Sequence, residues 1–264
     1  MPDLIAIGVP YWIGRKDEYT GSVEAVRDSA LMAELGLPWV EIEPDFESAP
    51  DPVTAVNRAI AAVIRAHAGK VPLIFAGDCT SCIGAVAGLQ DRNPAVIWYD
   101  AHGDFNTPET TPSGFLGGMP LAALVGRGNE ALMKGVGLKP LRERDIIITD
   151  ARDLDPEEGE MLRDSDLVHL PEIDALLTVS LPDKPLYIHF DGDVLRLEDL
   201  PAVSYPAEGG PTLDETLATV RRLVAEAPIA GVLFSLWNHK HPGAAKSQES
   251  TLTVIRAVVS GLSG

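Results

Sequence analysis

Short apolar runs and amphipathic stretches alternate along this chain from one end to the other. Leu4–Val9, Val71–Phe75, Ala95–Tyr99, 145–149, Leu186–Phe190 and Gly231–Ser235 are nearly free of polar interruption. Such continuous runs predict strands buried on both faces, as in a parallel sheet, because a half-exposed strand alternates apolar with polar. Trp39–Ile42 and Leu167–Leu170 are shorter strand-like runs. Between them the spacing is helical. A helix is predicted over 21–35, stopping at Gly36, and another over 54–68. In the second, Ala55, Ala59, Ala62, Val63 and Ala66 share one side and Gly69 ends it. Further helices are predicted from the turn after Thr80 to near Gln90, from Met119 to Val125, over 172–179, over 212–227 and over 245–259. One more opens at Asp155-Pro-Glu-Glu158, where proline suits a first turn. The alternation predicts one domain spanning 1–264, a three-layer α/β/α fold around a mainly parallel sheet of about eight strands.

Composition narrows the function. The chain has 264 residues, of which 45% are hydrophobic, and a formal net charge of −18. That charge argues against nucleic acid or an anionic membrane surface as a partner. Only two cysteines occur, Cys79 and Cys82. No run approaches the ~20 apolar residues of a membrane helix, and no amino-terminal segment reads as a signal peptide. The expected location is cytoplasmic and reducing.

The chemistry gathers at two strand ends. The run ending at Tyr99 passes directly into Asp100, His102 and Asp104, and the run ending at Phe190 passes into Asp191 and Asp193. Asp after a strand often only caps a turn. Two strands that deliver paired carboxylates to one sheet edge instead suggest an oxygen-rich site for two cations, at the edge where α/β sheets keep their chemistry.

These residues resemble the ureohydrolase family, that of arginase and agmatinase. Its signatures are Gly-Gly-Asp-His, Asp-Ala-His-x-Asp and Ser-x-Asp-x-Asp. Here they stand as Ala76-Gly77-Asp78-Cys79, Asp100-Ala101-His102-Gly103-Asp104 and His189-Phe190-Asp191-Gly192-Asp193. The resemblance implies a binuclear Mn²⁺ centre of one or two bound ions, in which Asp100 and Asp191 bridge, His102 and Asp193 complete one site, and Asp104 and Cys79 complete the other. Two adjacent cations would acidify a bridging water to the hydroxide that attacks a guanidinium carbon. Cys79 stands where the family has histidine, and a thiolate there favours Zn²⁺ or Fe²⁺. The spacing Cys79-x-x-Cys82 also invites a zinc or redox reading, but no further ligands stand at suitable spacing, and Cys82 is expected to be a buried apolar residue.

Asn106, Thr111 and Ser113 match the arginase loop that holds a substrate α-carboxylate. Asp155 and Glu158 match the segment that receives the α-amino group. Ordinary turn and N-cap chemistry is the alternative for each. Two departures bear on substrate. Gly117 replaces the histidine thought to shuttle protons to the leaving group, and Leu236 or Trp237 stands where the family has a glutamate that grips the guanidinium. Glu208 is a candidate substitute for that glutamate, while His239 and His241 are expected outside the ligand set. The resemblance therefore implies a metal-dependent hydrolase of a guanidino-type amino acid, arginine or N-hydroxyarginine-like, working as a homo-oligomer, trimer or hexamer. The alternative is a degenerate, non-catalytic relative that binds an amino acid or serves as a structural subunit.

Overall fold

The computed structural model describes residues 3–16 and 20–263. Eight strands form one sheet: β1 (Leu4–Val9), β2 (Trp39–Glu41), β3 (Val71–Ala76), β4 (Ala95–His102), β5 (Ile146–Asp153), β6 (Val168–Leu170), β7 (Leu186–Asp191) and β8 (Ile229–Ser235). Their order is β2-β1-β3-β8-β7-β4-β5-β6, and every pairing is parallel. The uninterrupted apolar runs follow from this burial, since β1 and β3 are buried along their whole length.

Helices cover both faces. Among them are α1 (Thr20–Arg27), α2 (Ala30–Leu35), α3 (Pro52–Ala66), α4 (Ser81–Leu89), α5 (Pro120–Leu124), α6 (Glu130–Val136), α7 (Pro156–Arg163), α8 (Leu213–Glu226) and α9 (Ala244–Ser263). One apolar layer packs Ile60 and Ile64 of α3 and Val86 of α4 against Ile74, Val96 and Tyr187. The other packs Val220 and Leu223 of α8 and Val254 and Val258 of α9 against Leu73, Ile97 and Ile188. Alternate residues of each strand thus serve opposite layers, as strand geometry requires.

Three local expectations change. The stretch 21–35 is two helices, because Ser29 takes an extended backbone and its hydroxyl accepts the Met32 N–H, capping a second start. The helix expected from Thr54 begins at Pro52, with Asp51 accepting the Thr54 N–H at 2.8 Å. The segment expected to be helical over 172–179 is a short 3-10 stretch, Ile173–Leu177.

The order of strands positions the site. From β3 the chain crosses to β4, and β8 and β7 later fill the space between them. The carboxyl ends of four adjacent strands therefore face one crevice, at the point where the winding reverses.

Candidate metal centre

Asp100 and His102 are two residues apart on β4, and His189 and Asp191 are two apart on β7, so each pair shares a sheet face. Asp100 is held by three donors' geometry on one carboxylate: Trp98 Nε1 donates to Oδ2 at 3.1 Å, and the His102 N–H donates to Oδ1 at 2.7 Å, while His102 Nδ1 lies 3.4 Å from Oδ1. After β7 a single 3-10 turn, Gly192–Val194, is capped by Asp191, which accepts the Asp193 N–H at 3.0 Å. The turn brings Asp193 back to β4, where its carboxylate accepts the Ala101 N–H at 3.2 Å and sits 3.1 Å from His102 Nδ1.

Strand β5 supports this arrangement from the side. Asp150 and Ala151 both take left-handed backbone, φ 70° and 49°, where the pairing register with β4 shifts. Arg152 emerges from that irregularity. Its guanidinium pairs with the Asp150 carboxylate and donates to the carbonyls of Asp193 at 3.0 Å and Val194 at 3.1 Å. It also reaches Ala207 and Glu208 carbonyls. The turn carrying Asp193 is thereby clamped to β5.

On the other side, Asp78 fixes the loop after β3. Its carboxylate accepts the N–H groups of Ile13 and Thr80, each at 2.8 Å. Cys79 then points across the crevice, donating its thiol proton to Asp191 Oδ2 at 2.8 Å with Ser235 Oγ at 3.5 Å. Cys82 is wholly buried in the apolar layer of α4, as expected.

Burial, then the repulsion of neighbouring carboxylates, dominates the electrostatics. Asp100 is pushed up to about 7, by burial first and then by Asp193. Burial also raises Asp104 and Asp191 well above the usual carboxylate range, with Asp100 adding to both, and raises the Cys79 thiol. For His102 burial works the other way, but the flanking Asp100 and Asp193 outweigh it and lift the imidazole to about 12. Crowded, buried carboxylates must either keep protons or be balanced by cations. Asp104 sharpens the point. It is buried, its backbone is left-handed at φ 48°, and its Oδ2 has no hydrogen-bond partner among the described residues. A buried carboxylate oxygen without a donor is an acceptor directed at something positive. The donor set suits divalent cations.

Two close groups of ligating atoms emerge, each with its atoms within 4.8 Å of one another. One is Asp100, His102 and Asp193; the other is Cys79, Asp100, His189 and Asp191. Asp104 belongs to neither close group but lines the same crevice. His189 is the residue that sequence reasoning did not single out. It sits inside an apolar strand, and the one available signal was its place in the third signature, where the family has serine.

The remaining expected residues line the same cavity, which measures about 500 Å³. Asn106 Nδ2 donates to Asp155 Oδ2 at 2.9 Å, and its Oδ1 accepts from Thr110 at 3.0 Å. The Thr111 and Ser113 hydroxyls are 3.4 Å apart and accept the N–H groups of Gly114 and Phe115. Asp155 caps α7. Glu158 is buried and accepts the N–H groups of Phe105 at 2.8 Å and Asp155 at 3.2 Å, which ties the loop after β4 to the start of α7. Gly117 leaves room that Phe115 fills, since a Cβ there would lie 2.2 Å from the Phe115 ring. Of the two candidates for the missing glutamate position, Leu236 lines the cavity and Trp237 does not. Glu208 is exposed and outside the cavity, its carbonyl taken by Arg152. The same loop lines the cavity with Val203, Ser204 and Tyr205 instead, so Glu208 does not replace the absent acid. His239 and His241 also lie outside the lining.

Comparison with known proteins agrees with this fold. The model of the arginase family matches residues 23–234. An arginase of Bacillus subtilis is 37% identical over 155 residues, covering 53% of this chain and 52% of that protein. An arginase of Bacillus caldovelox is 34% identical over 194 residues, covering 67% and 64%. These alignments thus span about half to just under two thirds of the relatives' own length. The crystal structure of the Bacillus subtilis arginase superposes with a TM-score of 0.85 at 27% identity, covering 97% of this chain and 98% of that one.

Proposed function

The chain belongs to the arginase family, and from that premise we propose that it is a metal-dependent amidinohydrolase that splits a linear C–N bond of a guanidino-type α-amino acid. The observation that carries the reading is a single cavity joining the carboxylate–imidazole cluster to Asn106, Thr111, Ser113 and Asp155. When bound, paired divalent cations supply Lewis acidity and ionise water near neutral pH. Mn²⁺ suits the cluster of Asp100, His102 and Asp193, whose donors are carboxylates and an imidazole.

The chain's own side chains do the rest. His102, set between Asp100 and Asp193, holds both carboxylates in register. Asp104 directs into the same crevice a carboxylate oxygen that has no hydrogen-bond partner among the described residues. At the other end, Thr111 and Ser113 present hydroxyls to an α-carboxylate, and Asp155 receives an α-ammonium group. Glu158 contributes by fixing Phe105 and the first turn of α7, which holds Asn106 and Asp155 together. Gly117 supplies no proton to a leaving amine and Leu236 no counter-charge to a guanidinium. The absent counter-charge favours a substrate less basic than a plain guanidinium, such as the N-hydroxyguanidine of N-hydroxyarginine, which is uncharged nearer neutral pH. The same reading has the chain acting as one domain over 1–264, in a homo-oligomer and a reducing cytoplasm. Both cysteines are free, and among the described residues no helix is long and apolar enough to cross a membrane.

The test is release of urea or hydroxyurea from a panel of guanidino compounds by protein loaded with Mn²⁺ or Zn²⁺. Turnover of an α-amino acid is expected. Asp155→Ala should raise KM much more for that amino acid than for its decarboxylated amine. Metal-loaded protein that turns over no guanidino compound would sink the reading in favour of a non-catalytic relative.

A further inference from the structure

We infer that His189 is a metal ligand, and that with Cys79, Asp100 and Asp191 it forms a four-donor site for a borderline-soft divalent cation of the zinc type. The inference rests on the reading of the crevice as a metal centre and changes the chemistry of one half of it.

His189 is fully buried, and neither of its ring nitrogens has a hydrogen-bond partner among the described residues. Buried imidazoles ordinarily find partners for both nitrogens, so this pair needs a reason. The ring is stacked on the indole of Trp98, centroids 3.6 Å apart and planes within 5°, which fixes its plane. A ring nitrogen lies within 4.8 Å of Cys79 Sγ and of carboxylate oxygens of Asp100 and Asp191, and those three lie within 4.8 Å of one another. The thiol already reaches Asp191 Oδ2 at 2.8 Å.

Comparison of the two signatures explains the arrangement. Histidine is missing from position 79, where cysteine stands, and histidine has appeared at position 189, where the family signature has serine. One thiolate, one neutral imidazole and two carboxylates make a donor set of tetrahedral zinc type, unlike the oxygen-rich octahedral set that suits Mn²⁺. On binding, the Cys79 thiol proton leaves to solvent and the sulfur–metal bond replaces it. The His102 cluster keeps no sulfur, so the two halves would select different ions.

The experiment uses the whole protein with Zn²⁺ and Co²⁺ as probes. X-ray absorption of the zinc form should show one sulfur and at least one imidazole in the first coordination shell, and the cobalt form should show a thiolate-to-metal charge-transfer band. His189→Ser, which installs the residue of the family signature, should lower Zn²⁺ affinity by ~100-fold or more, beyond the loss that follows removal of an outer partner. It should leave Mn²⁺ binding at the His102 cluster in place. The exchange Cys79→His with His189→Ser should abolish the charge-transfer band and turn preference from Zn²⁺ towards Mn²⁺. A zinc shell of oxygen and nitrogen without sulfur overturns the inference, even where a variant fails to fold. So does unchanged Zn²⁺ affinity in His189→Ser while metal still binds beside His102, and that outcome leaves the proposed function standing. Protein that binds no divalent cation at either cluster overturns both.

Discussion

The two halves of the crevice share Asp100 yet are built in different ways. On the His102 side almost every polar atom is engaged inside the protein. The imidazole lies between two carboxylates, backbone N–H groups hold Asp100 and Asp193, and Arg152 clamps the following turn. The His102 side chain is also 27% exposed. On the Cys79 side His189 is closed off from solvent and its nitrogens have no hydrogen-bond partner among the described residues. The first half is stitched together by hydrogen bonds that exist without an ion. The second has the Cys79–Asp191 hydrogen bond, but its imidazole is placed by packing alone, through the Trp98 stack. A half-site with its own hydrogen bonds is preorganised and tolerant of its ion, whereas one with unengaged buried donors depends on what binds there.

The most damaging change should be the one that strikes both halves. Asp100→Asn keeps the shape of the side chain but removes the charge common to both groups. It should lower kcat/KM of metal-loaded protein by ~1,000-fold or more, the equivalent of several kcal/mol of charge stabilisation. The metal-free variant should melt no lower than the parent, because burial and Asp193 already disfavour that charge. Loss of metal from only one half, measured by metal analysis, would break the comparison.

A smaller effect is expected from Trp98→Phe. It keeps a ring beneath His189 and removes the indole donor to Asp100 Oδ2. Metal affinity should fall by ~10–100-fold in both halves, the range for an orienting partner. Equilibrium titration with Mn²⁺ and Zn²⁺ measures it, and an effect on one ion alone would separate the halves further than the shared carboxylate suggests.

Arg152→Met should act on one half. It releases the turn of Asp193 and leaves Asp150 without its partner in a mostly buried place, which should lower stability by about 3 kcal/mol and metal affinity on the His102 side by ~10-fold. The pH dependence has a definite sign. Burial already lifts Asp150 from its ordinary 3.8 to about 6, against the pull of Arg152. Without Arg152 it rises further, so the folded variant holds the proton more tightly than the unfolded chain. The deficit against the parent should therefore grow as pH rises above 6 and shrink towards pH 5, as urea denaturation at several pH values would show. A deficit that grows on acidification would mean that Asp150 is charged through some other contact.

Gly117→His should matter least to the metals, because it lies on the cavity wall beyond both groups. The new Cβ would meet the Phe115 ring at 2.2 Å, so overpacking of about 1–3 kcal/mol is expected. Adding Phe115→Ala should restore the loss. Metal content should not change in either variant.

The parts of this site that could be read in the chain were those compressed into single strand ends. Asp100, His102 and Asp104, and likewise Asp191 and Asp193, stand out because they follow apolar runs directly. His189 could not be separated in that way. One polar residue in a buried strand looks the same whether it makes an ordinary hydrogen bond or faces a metal, and only the absence of partners distinguishes the two. Glu208 shows the reverse error. Its loop does line the cavity, but through Val203, Ser204 and Tyr205, while the Glu208 side chain stands in solvent and its carbonyl accepts from Arg152. The break between α1 and α2 was hidden for a similar reason. Apolar spacing continues through it, and the Ser29 cap that starts a new helix is a matter of one hydroxyl and one N–H.

Local physics determined much of this protein from its sequence alone. Uninterrupted apolar runs require strands covered on both faces, and a strand's period of two places Asp100 with His102 and His189 with Asp191, whatever the fold around them. The kinds of donor were also set there: carboxylates, imidazoles and one thiol at a strand end. The order of strands was decided only in three dimensions. Nothing near β3 in the chain indicates that β8 and β7 will lie between it and β4. That order brings Cys79 to 2.8 Å from Asp191, 112 residues away, and the Asp193 carboxylate to the Ala101 N–H across 92. Such contacts follow from how two apolar layers and eight strands pack together as a whole, an energy spread over the entire core that no short stretch of sequence contains.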